Sequence, residues 1–368
     1  MSGNPMRHSS FSAVIPTCDR PEALARCLRS IVAQTRRPAQ VTVVDDGQLD
    51  SEPLRRLVEE AGIEWTYLKK DRLDRNRSRN LGVEASKHPI VAFLDDDVVL
   101  DPDYFDRLID VLERFARVGV VGASARVYNQ RRRSRLRPVR HAAERLFLVR
   151  GKRLGALMRS GFCADIQDDD EVGVEPFDVE FASSGACAYF REVCRRYPYP
   201  EGHSFLAEGD DKIFSLRITR QWRTLFVPRA KAAHLHASSG RPSPVLSGQK
   251  TLLGIYWTHR QFARRGPLDL LLFLWGSLGL ILICAGGAVE RRRKRHWQFA
   301  WGLVHGLGKA LGFELRGTSM REAVEQAAAL RGEPIVSPVG LEGPFLAEPQ
   351  EIPPGGWPFA QGAGNGEP

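Results

Sequence analysis

The chain has 368 residues, 43% of them hydrophobic and 26% charged. That balance supplies a core for one large or two ordinary domains and excludes collagenous, coiled-coil and wholly disordered chains. Lys plus Arg exceeds Asp plus Glu by nine, which points to a phosphate-bearing partner: nucleic acid, anionic lipid or a phosphorylated small molecule. The six cysteines form no C-x-x-C pair and no zinc spacing, so they are expected to be reduced.

In chain order, residues 1–10 read as a tail. FSAVIPT (11–17) is an apolar run closing on Pro16 and Thr17, and ALARCLRSIVAQ (23–34) sets Leu24, Cys27, Leu28, Ile31 and Val32 on one helical face. VTVVDDG (41–47) is a β-branched strand ending in Asp45, Asp46 and Gly47. PLRRLVEEAG (53–62) reads as a helix, EWTYLK (64–69) as a strand, and SRNLGVEAS (78–86) as the opening of another helix. PIVAFLDDD (89–97) is a buried strand that stops at three acids. The alternation predicts a parallel sheet with helices on both faces. Ligands of such sheets bind beyond the carboxyl ends of the strands, where Pro16–Arg20, Asp45–Gly47 and Asp95–Asp97 all fall.

The positive charge is concentrated. Residues 131–159 carry eleven cationic side chains, beginning with Arg131, Arg132 and Arg133, against one acid, Glu144. This is the composition of a solvated charged face or of a segment lying on anionic lipid headgroups. Further on, Asp210 and Asp211 open an amphipathic stretch, where acids favour a helix N-terminus, and His234 and His236 stand two apart, as on one strand face. LLLFLWGSLGLILICAGGAV (270–289) is uncharged, with Arg264 and Arg265 before it and Arg291 to Arg295 after it. Twenty such residues suffice to cross a bilayer, although cations at both ends oppose a simple span; a bent or re-entrant course, or a buried core helix, are the alternatives. The segment 296–315 reads as an interfacial amphipathic helix or a second, weaker span. From about Arg331 to Pro368 the chain is rich in Pro and Gly and is expected to be disordered. The expected organisation is a domain over 11–245, membrane-associated helices over 246–317 and a tail over 331–368.

Three carboxylates in a row after a buried strand are either a solvated acidic turn or a site for a cation. Strand alternation sends Asp95 and Asp97 to the same side, and adjacent carboxylates repel unless a cation lies between them. A hard divalent ion such as Mg²⁺ or Mn²⁺ takes oxygen ligands and bridges to phosphates. Asp45 is either a turn residue, since Asp-Gly pairs favour turns, or an acceptor for a nucleobase N–H or a ribose hydroxyl.

Taken in order, these motifs resemble family 2 glycosyltransferases with the GT-A fold, over roughly residues 11–240. The matching features are Val14-Ile15-Pro16-Thr17 with Asp19 and Arg20, Val43-Val44-Asp45-Asp46-Gly47, Arg79-Asn80-Leu81-Gly82 and Phe93-Leu94-Asp95-Asp96-Asp97. Ser183-Ser184-Gly185-Ala186 with Arg191 resembles the acceptor-side loop; Asp210-Asp211 precedes Arg217, and Pro228 precedes His234. The resemblance implies an α/β fold: a Rossmann-like, mixed and mostly parallel sheet with flanking helices, followed by a C-terminal membrane-associated helical segment. It implies that Pro16, Thr17, Arg20, Asp45, Arg79, Asp95 and Asp96 hold a nucleotide-diphosphate sugar (UDP-, GDP- or dTDP-linked). Asp95, Asp97 and His234 would hold Mg²⁺ or Mn²⁺, and Ser184, Gly185 and Arg191 would line the acceptor side. Asp211 matches the catalytic base of an inverting transfer by its spacing to Arg217. The family usually has Glu-Asp where this chain has Asp210-Asp211 after Glu208-Gly209, which leaves Asp210 as the alternative base.

The expected acceptor is a lipid-linked or cell-envelope glycan, at the inner membrane with the catalytic domain on the cytoplasmic side. A processive polysaccharide synthase would carry a Gln-x-x-Arg-Trp motif, which Gln221-Trp222 does not match, and more apolar segments. A sugar-nucleotide nucleotidyltransferase would need a Gly-rich basic loop that Pro16-Thr17-Cys18-Asp19 lacks. Outside enzymes, the basic segment would suit a nucleic-acid-binding or a membrane-anchored non-catalytic protein. It lacks a recognisable binding module, so no specific nucleic acid is expected.

Overall fold

The computed structural model describes residues 9–128, 137–163, 166, 172–236, 242–291 and 293–331. Arg131, Arg132, Arg133 and Arg135, and the Pro/Gly-rich segment beyond Arg331, lie outside the described residues.

The first half alternates as β1 (Phe11–Thr17), α1 (Pro21–Val32), β2 (Gln40–Asp45), α2 (Glu52–Glu59), β3 (Glu64–Lys69), α3 (Arg75–Ala85) and β4 (Ile90–Leu94). After it come β5 (Val98–Leu100), α4 (Tyr104–Phe115), β6 (Val120–Tyr128), α5 (Arg137–Leu146), β7 (Phe177–Val179) and β8 (Ala186–Phe190). Then follow α6 (Arg191–Arg196), α7 (His203–Leu206), α8 (Asp210–Thr219) and β9 (Arg223–His234). Among the described residues the strands form one nine-stranded sheet in the order β3-β2-β1-β4-β8-β6-β9-β5, with β7 on β9. β3, β2, β1 and β4 run parallel, and β8 enters antiparallel between β4 and β6.

β2 and β4 are buried along their whole length and β1 nearly so, as strands covered on both faces must be. Their apolar runs explain why they take the centre of the sheet. α1 starts with Pro21 in its first turn, where the missing N–H costs nothing, and buries Leu24, Cys27, Leu28 and Ile31. α3 is capped by the Asp74 carboxylate, which accepts from Asn76 N. In register, Thr17 lies opposite Asp45 and Leu94 opposite Ala186. The carboxyl ends of β1, β2 and β4 and the start of β8 therefore meet at one edge.

The C-terminal part is helical: α9 (Pro244–Thr258), a π turn (His259–Ala263), α10 (Pro267–Arg291), α11 (Lys294–Arg316) and α12 (Met320–Ala329). A second core joins these helices to the sheet domain. Ile213 and Leu216 of α8 pack there with Leu253 and Trp257 of α9, Phe273 of α10 and Phe313 of α11. Gly302 lets α11 reach the α9 backbone, since a Cβ there would stand 2.1 Å from the Val245 carbonyl oxygen. α12 occupies the stretch between 317 and 331, to which sequence pattern assigns no element; Ser319 and Glu322 form a capping box at its start. One helix among the described residues, Pro267–Glu290, is long and apolar enough to cross a membrane.

Candidate active site

The three acids lie between β4 and β5, Asp96 and Asp97 in a turn, and that turn divides them. Asp96 points back under β1, taking a hydrogen bond from the Thr17 hydroxyl at 2.8 Å and one from Arg20 at 3.1 Å. Burial, together with Asp95 and Asp97 on either side, raises its carboxyl to about 6 despite those two partners. Asp95 and Asp97 share the other side with His234, at the end of β9, and their ligand atoms all lie within 4.8 Å of one another. The His234 Nε2 stands 2.8 Å from Asp97, and its ring packs on that of His236, 4.1 Å between centroids. His236 lies beyond the strand with a positive φ, so the two histidines meet by a turn and not as alternate residues of β9.

Asp45 and Asp46 end β2. The Asp45 carboxylate is fully buried and accepts from Gly47 N, Leu49 N, the Tyr67 hydroxyl and Lys69 Nζ. Burial opposes its ionisation, but these donors prevail and hold the carboxyl below its ordinary range. Asp46 accepts from the Ser78 hydroxyl and from Asp74 N and pairs with Lys70. Asp45 is thus closed off by its own loop and by β3 in this structure, and a ligand would reach it only by displacing one of these donors.

The second pair of acids sits at the N-terminus of α8. Gly209 precedes it with a φ of +94°, a left-handed conformation that glycine adopts without strain, and this turn sends Asp210 and Asp211 different ways. Asp210 is buried and takes Arg75 at 2.9 Å and Arg79 at 3.1 Å. Burial works against its charge, yet the two guanidinium groups bring its carboxyl down to about 2. Asp211 is partly exposed and its carboxylate accepts only from Lys212 N among the hydrogen bonds found. Burial and the neighbouring Asp210 charge raise it to about 6. Arg79 is 2% exposed and also donates to Asp95 at 3.1 Å, so it ties the two acidic motifs together and is not open to a ligand. That bridge sets Asp95 beside Asp210, with Asp211 next to Asp210 at the start of α8.

Gly185 lies beside Asp95. Its carbonyl accepts from Asp95 N, and a Cβ there would stand 2.5 Å from Asp95 Oδ2. Ser184, just before it, is 4% exposed. Arg191 is not brought to the site. β8 runs antiparallel to β4, with Ala186 beside Leu94 and Phe190 beside Ile90, so Arg191 leaves the far end of the strand, about 20 Å from Asp95 at ~3.3 Å per residue. There it donates to the Ser86 carbonyl at 2.6 Å. Two residues outside the sequence motifs belong here. Arg75 lies one helical turn before Arg79, a spacing that puts both on one face of α3. Lys69 reaches Asp45 at 3.1 Å.

Residues 12–197, half of the chain, match glycosyl transferase family 2. An uncharacterised glycosyltransferase of Nostoc sp. is 29% identical over 113 residues, covering 30% of this chain and 35% of that protein. The glucosyl-dolichyl phosphate glucuronosyltransferase of Haloferax volcanii is 31% identical over 111 residues, covering 29% and 34%. The chain thus spans about a third of the length of these curated relatives. Among solved structures, a mannosyltransferase of Pyrobaculum calidifontis in complex with GDP-Man and Mn²⁺ superposes with a TM-score of 0.51 at 15% identity, over 84% of this chain and 88% of that one. Identity this low bears on the fold alone, and the fold is the mixed, mostly parallel sheet with flanking helices of the GT-A type. With half its length matched and its acidic motifs set at the carboxyl edge of that sheet, the chain belongs to glycosyl transferase family 2.

Proposed function

We propose that the protein transfers a sugar from a nucleotide-diphosphate sugar to a hydroxyl of a lipid-linked or cell-envelope glycan, with inversion at the anomeric carbon. The observation that carries this reading is the division of labour between two adjacent acids. Asp210 is neutralised by Arg75 and Arg79, while Asp211 stands beside it partly exposed and raised toward neutrality. A poor nucleophile such as a sugar hydroxyl needs a carboxylate base of this kind within hydrogen-bond reach. Asp211 takes the hydroxyl proton as the oxygen bonds to the anomeric carbon and the bond to the nucleoside diphosphate breaks. Asp210, Arg75 and Arg79 form the frame that holds Asp211 in place and keeps Asp95 turned to the same space.

Asp95, Asp97 and His234 fit a divalent cation: two carboxylates and an imidazole converge within 4.8 Å, a donor set that suits Mn²⁺ better than the all-oxygen preference of Mg²⁺. When bound, such an ion would neutralise the charge that builds on the departing diphosphate. The Pyrobaculum mannosyltransferase holds GDP-Man and Mn²⁺, which supports a donor of this class. Thr17 and Arg20 orient Asp96, and Arg20 also stands 4.0 Å from Asp97.

The lipid-linked acceptor rests on the apolar helix α10 and on a relative whose name specifies a dolichyl phosphate-linked substrate. The setting that follows is a cell inner membrane with the catalytic domain on its cytoplasmic side. A thermal-shift and hydrolysis screen of UDP-, GDP- and dTDP-sugars, each with and without Mn²⁺, tests the reading. One nucleotide class should stabilise the protein only when Mn²⁺ is present; no stabilisation by any of the three would refute it.

A further inference from the structure

α10 has two faces. Leu268, Leu271, Trp275, Leu278, Leu282 and Val289 are 43–62% exposed, and their spacing of three and four residues, with Val289 seven beyond Leu282, draws one stripe along the helix. At 1.5 Å per residue the stripe is about 32 Å long, and it carries no charge. The opposite face is occupied by protein. Asp269 and Ser277 are fully buried, Gly276 lies under Phe162 and Gly279 under Phe147. α11, packed beside α10, repeats the pattern: Trp297, Trp301, Val304, Leu311 and Leu315 are 37–88% exposed at spacings of four, three, seven and four. α5 adds Val139 and Leu146, both 66% exposed and seven residues apart. An uncovered apolar surface of this extent marks a partner.

The surroundings of α10 say which partner, and in which posture. Trp275 donates to the Leu146 carbonyl and packs on Phe147 at 4.8 Å, so α5 and the segment after it lie alongside α10. α5, which carries the ion pair of Arg140 and Glu144, packs against α10. A helix crossing the bilayer would carry that pair, and the irregular backbone around Phe147 and Phe162, into hydrocarbon, where charges and unpaired peptide groups are costly. Cations flank both ends of α10: Arg265 before it, and Arg293, Lys294 and Arg295 after it, all exposed. Lys309 and Arg316 line a groove on α11 with Trp301 and Val304. Cations at both ends conflict with a span but suit a helix lying flat, where both ends meet the same anionic surface.

Resting on the membrane association of the proposed function, we infer that α5, α10 and α11 form a seat on an anionic bilayer. α10 lies in the plane of the interface, with its stripe in the boundary between headgroups and acyl chains, and does not cross. The α10–α11 turn therefore stays on the same side as the catalytic domain.

The test uses the full chain in sealed inside-out membrane vesicles, in a background where the part-exposed Cys18, Cys163 and Cys284 are changed to Ser. Arg293→Cys probes the turn, and Lys87→Cys, 63% exposed on the catalytic domain, serves as the reference. A membrane-impermeant maleimide should modify both equally in intact vesicles. Modification of Arg293→Cys only after lysis, with Lys87→Cys modified at once, would overturn the in-plane seat while leaving membrane association standing. In parallel, purified protein is sedimented with phosphatidylglycerol vesicles. Leu271→Asp/Leu278→Asp/Leu282→Asp, all at exposed positions, should lower the bound fraction at least tenfold with an unchanged melting temperature. Wild-type protein that ignores the vesicles, whether as a monomer or as a dimer closed on this face, would overturn both the seat and the membrane association.

Discussion

Arg79→Met removes the link between the two acidic motifs and keeps an unbranched side chain over the Tyr199 ring, which the guanidinium now covers at 5.1 Å. The Arg79 and Asp210 side chains are 2% and 3% exposed. Removing one partner of a buried ion pair costs about 3–5 kcal/mol because the other charge is left without compensation. Here Asp210 keeps Arg75 at 2.9 Å, and Asp95, the second partner, is 31% exposed and loses little. The expected cost is therefore near the lower bound, about 3 kcal/mol, which lowers the melting temperature by about 6–12 °C for a domain of this size. Asp210→Asn in the same background removes the charge that has lost one of its two partners, so the double variant should recover part of the loss. The pH dependence has a definite sign. The native Asp210 carboxyl is lowered to about 2, so its stabilisation is present above the ordinary carboxylate pKa and is lost as pH falls through about 2. Arg79→Met should move that loss to higher pH. Thermal unfolding followed by intrinsic fluorescence, from pH 7 down to 3, reads both effects. In a domain of this size a loss of about 1 kcal/mol already lowers the melting temperature by about 2–4 °C, so a value within about 2 °C of wild type at pH 7 would refute the bridge.

Three further outcomes follow from the geometry. Asp211 must be ionised to accept a proton and its pKa is raised to about 6, so the transfer rate should fall as pH drops through about 6; a rate flat from pH 5 to 8 would remove it as the base. Gly185→Ala would set a methyl group 2.5 Å from Asp95 Oδ2, so titration with Mn²⁺ should show affinity weakened about tenfold or more, whereas unchanged affinity would detach Asp95 from the metal site. Gly209→Ala meets no atom closer than 3.9 Å but must hold a φ of +94°, so its cost should be conformational, about 1–2 kcal/mol, and an unchanged melting temperature would contradict that conformation.

The sheet's active edge is readable in the sequence because its strands are short buried runs that close on acids. β1, β2 and β4 each end where apolar residues give way to Thr17, Asp45 or Asp95, although it is a turn and not strand alternation that separates Asp96 from its neighbours. Partners supplied from elsewhere are not readable. Nothing local to Asp45 says that Tyr67 and Lys69 will bond to it, and nothing local to Arg79 says that Asp210, 131 residues on, will bury it. The resemblance groups Arg191 with Ser184 and Gly185 on the acceptor side, and nearness in sequence does not say which end of the strand it will occupy. Antiparallel pairing of β8 sends it away from the acids. The long apolar run predicts a helix, but which of its faces is covered depends on Phe147 and Phe162, more than a hundred residues earlier. α12 is short and rich in alanine, and only its Ser319-to-Glu322 cap announces it.

In the proposed reaction Asp211 acts in the chemical step and not in holding the donor. Asp211→Asn keeps the shape of the side chain and removes its basicity. Its transfer rate should fall by roughly 10²–10⁴, the usual contribution of a positioned base, while the stabilisation by nucleotide sugar and Mn²⁺ stays as in wild type. Transfer at the normal rate by Asp211→Asn, with the donor bound as before, would contradict the account.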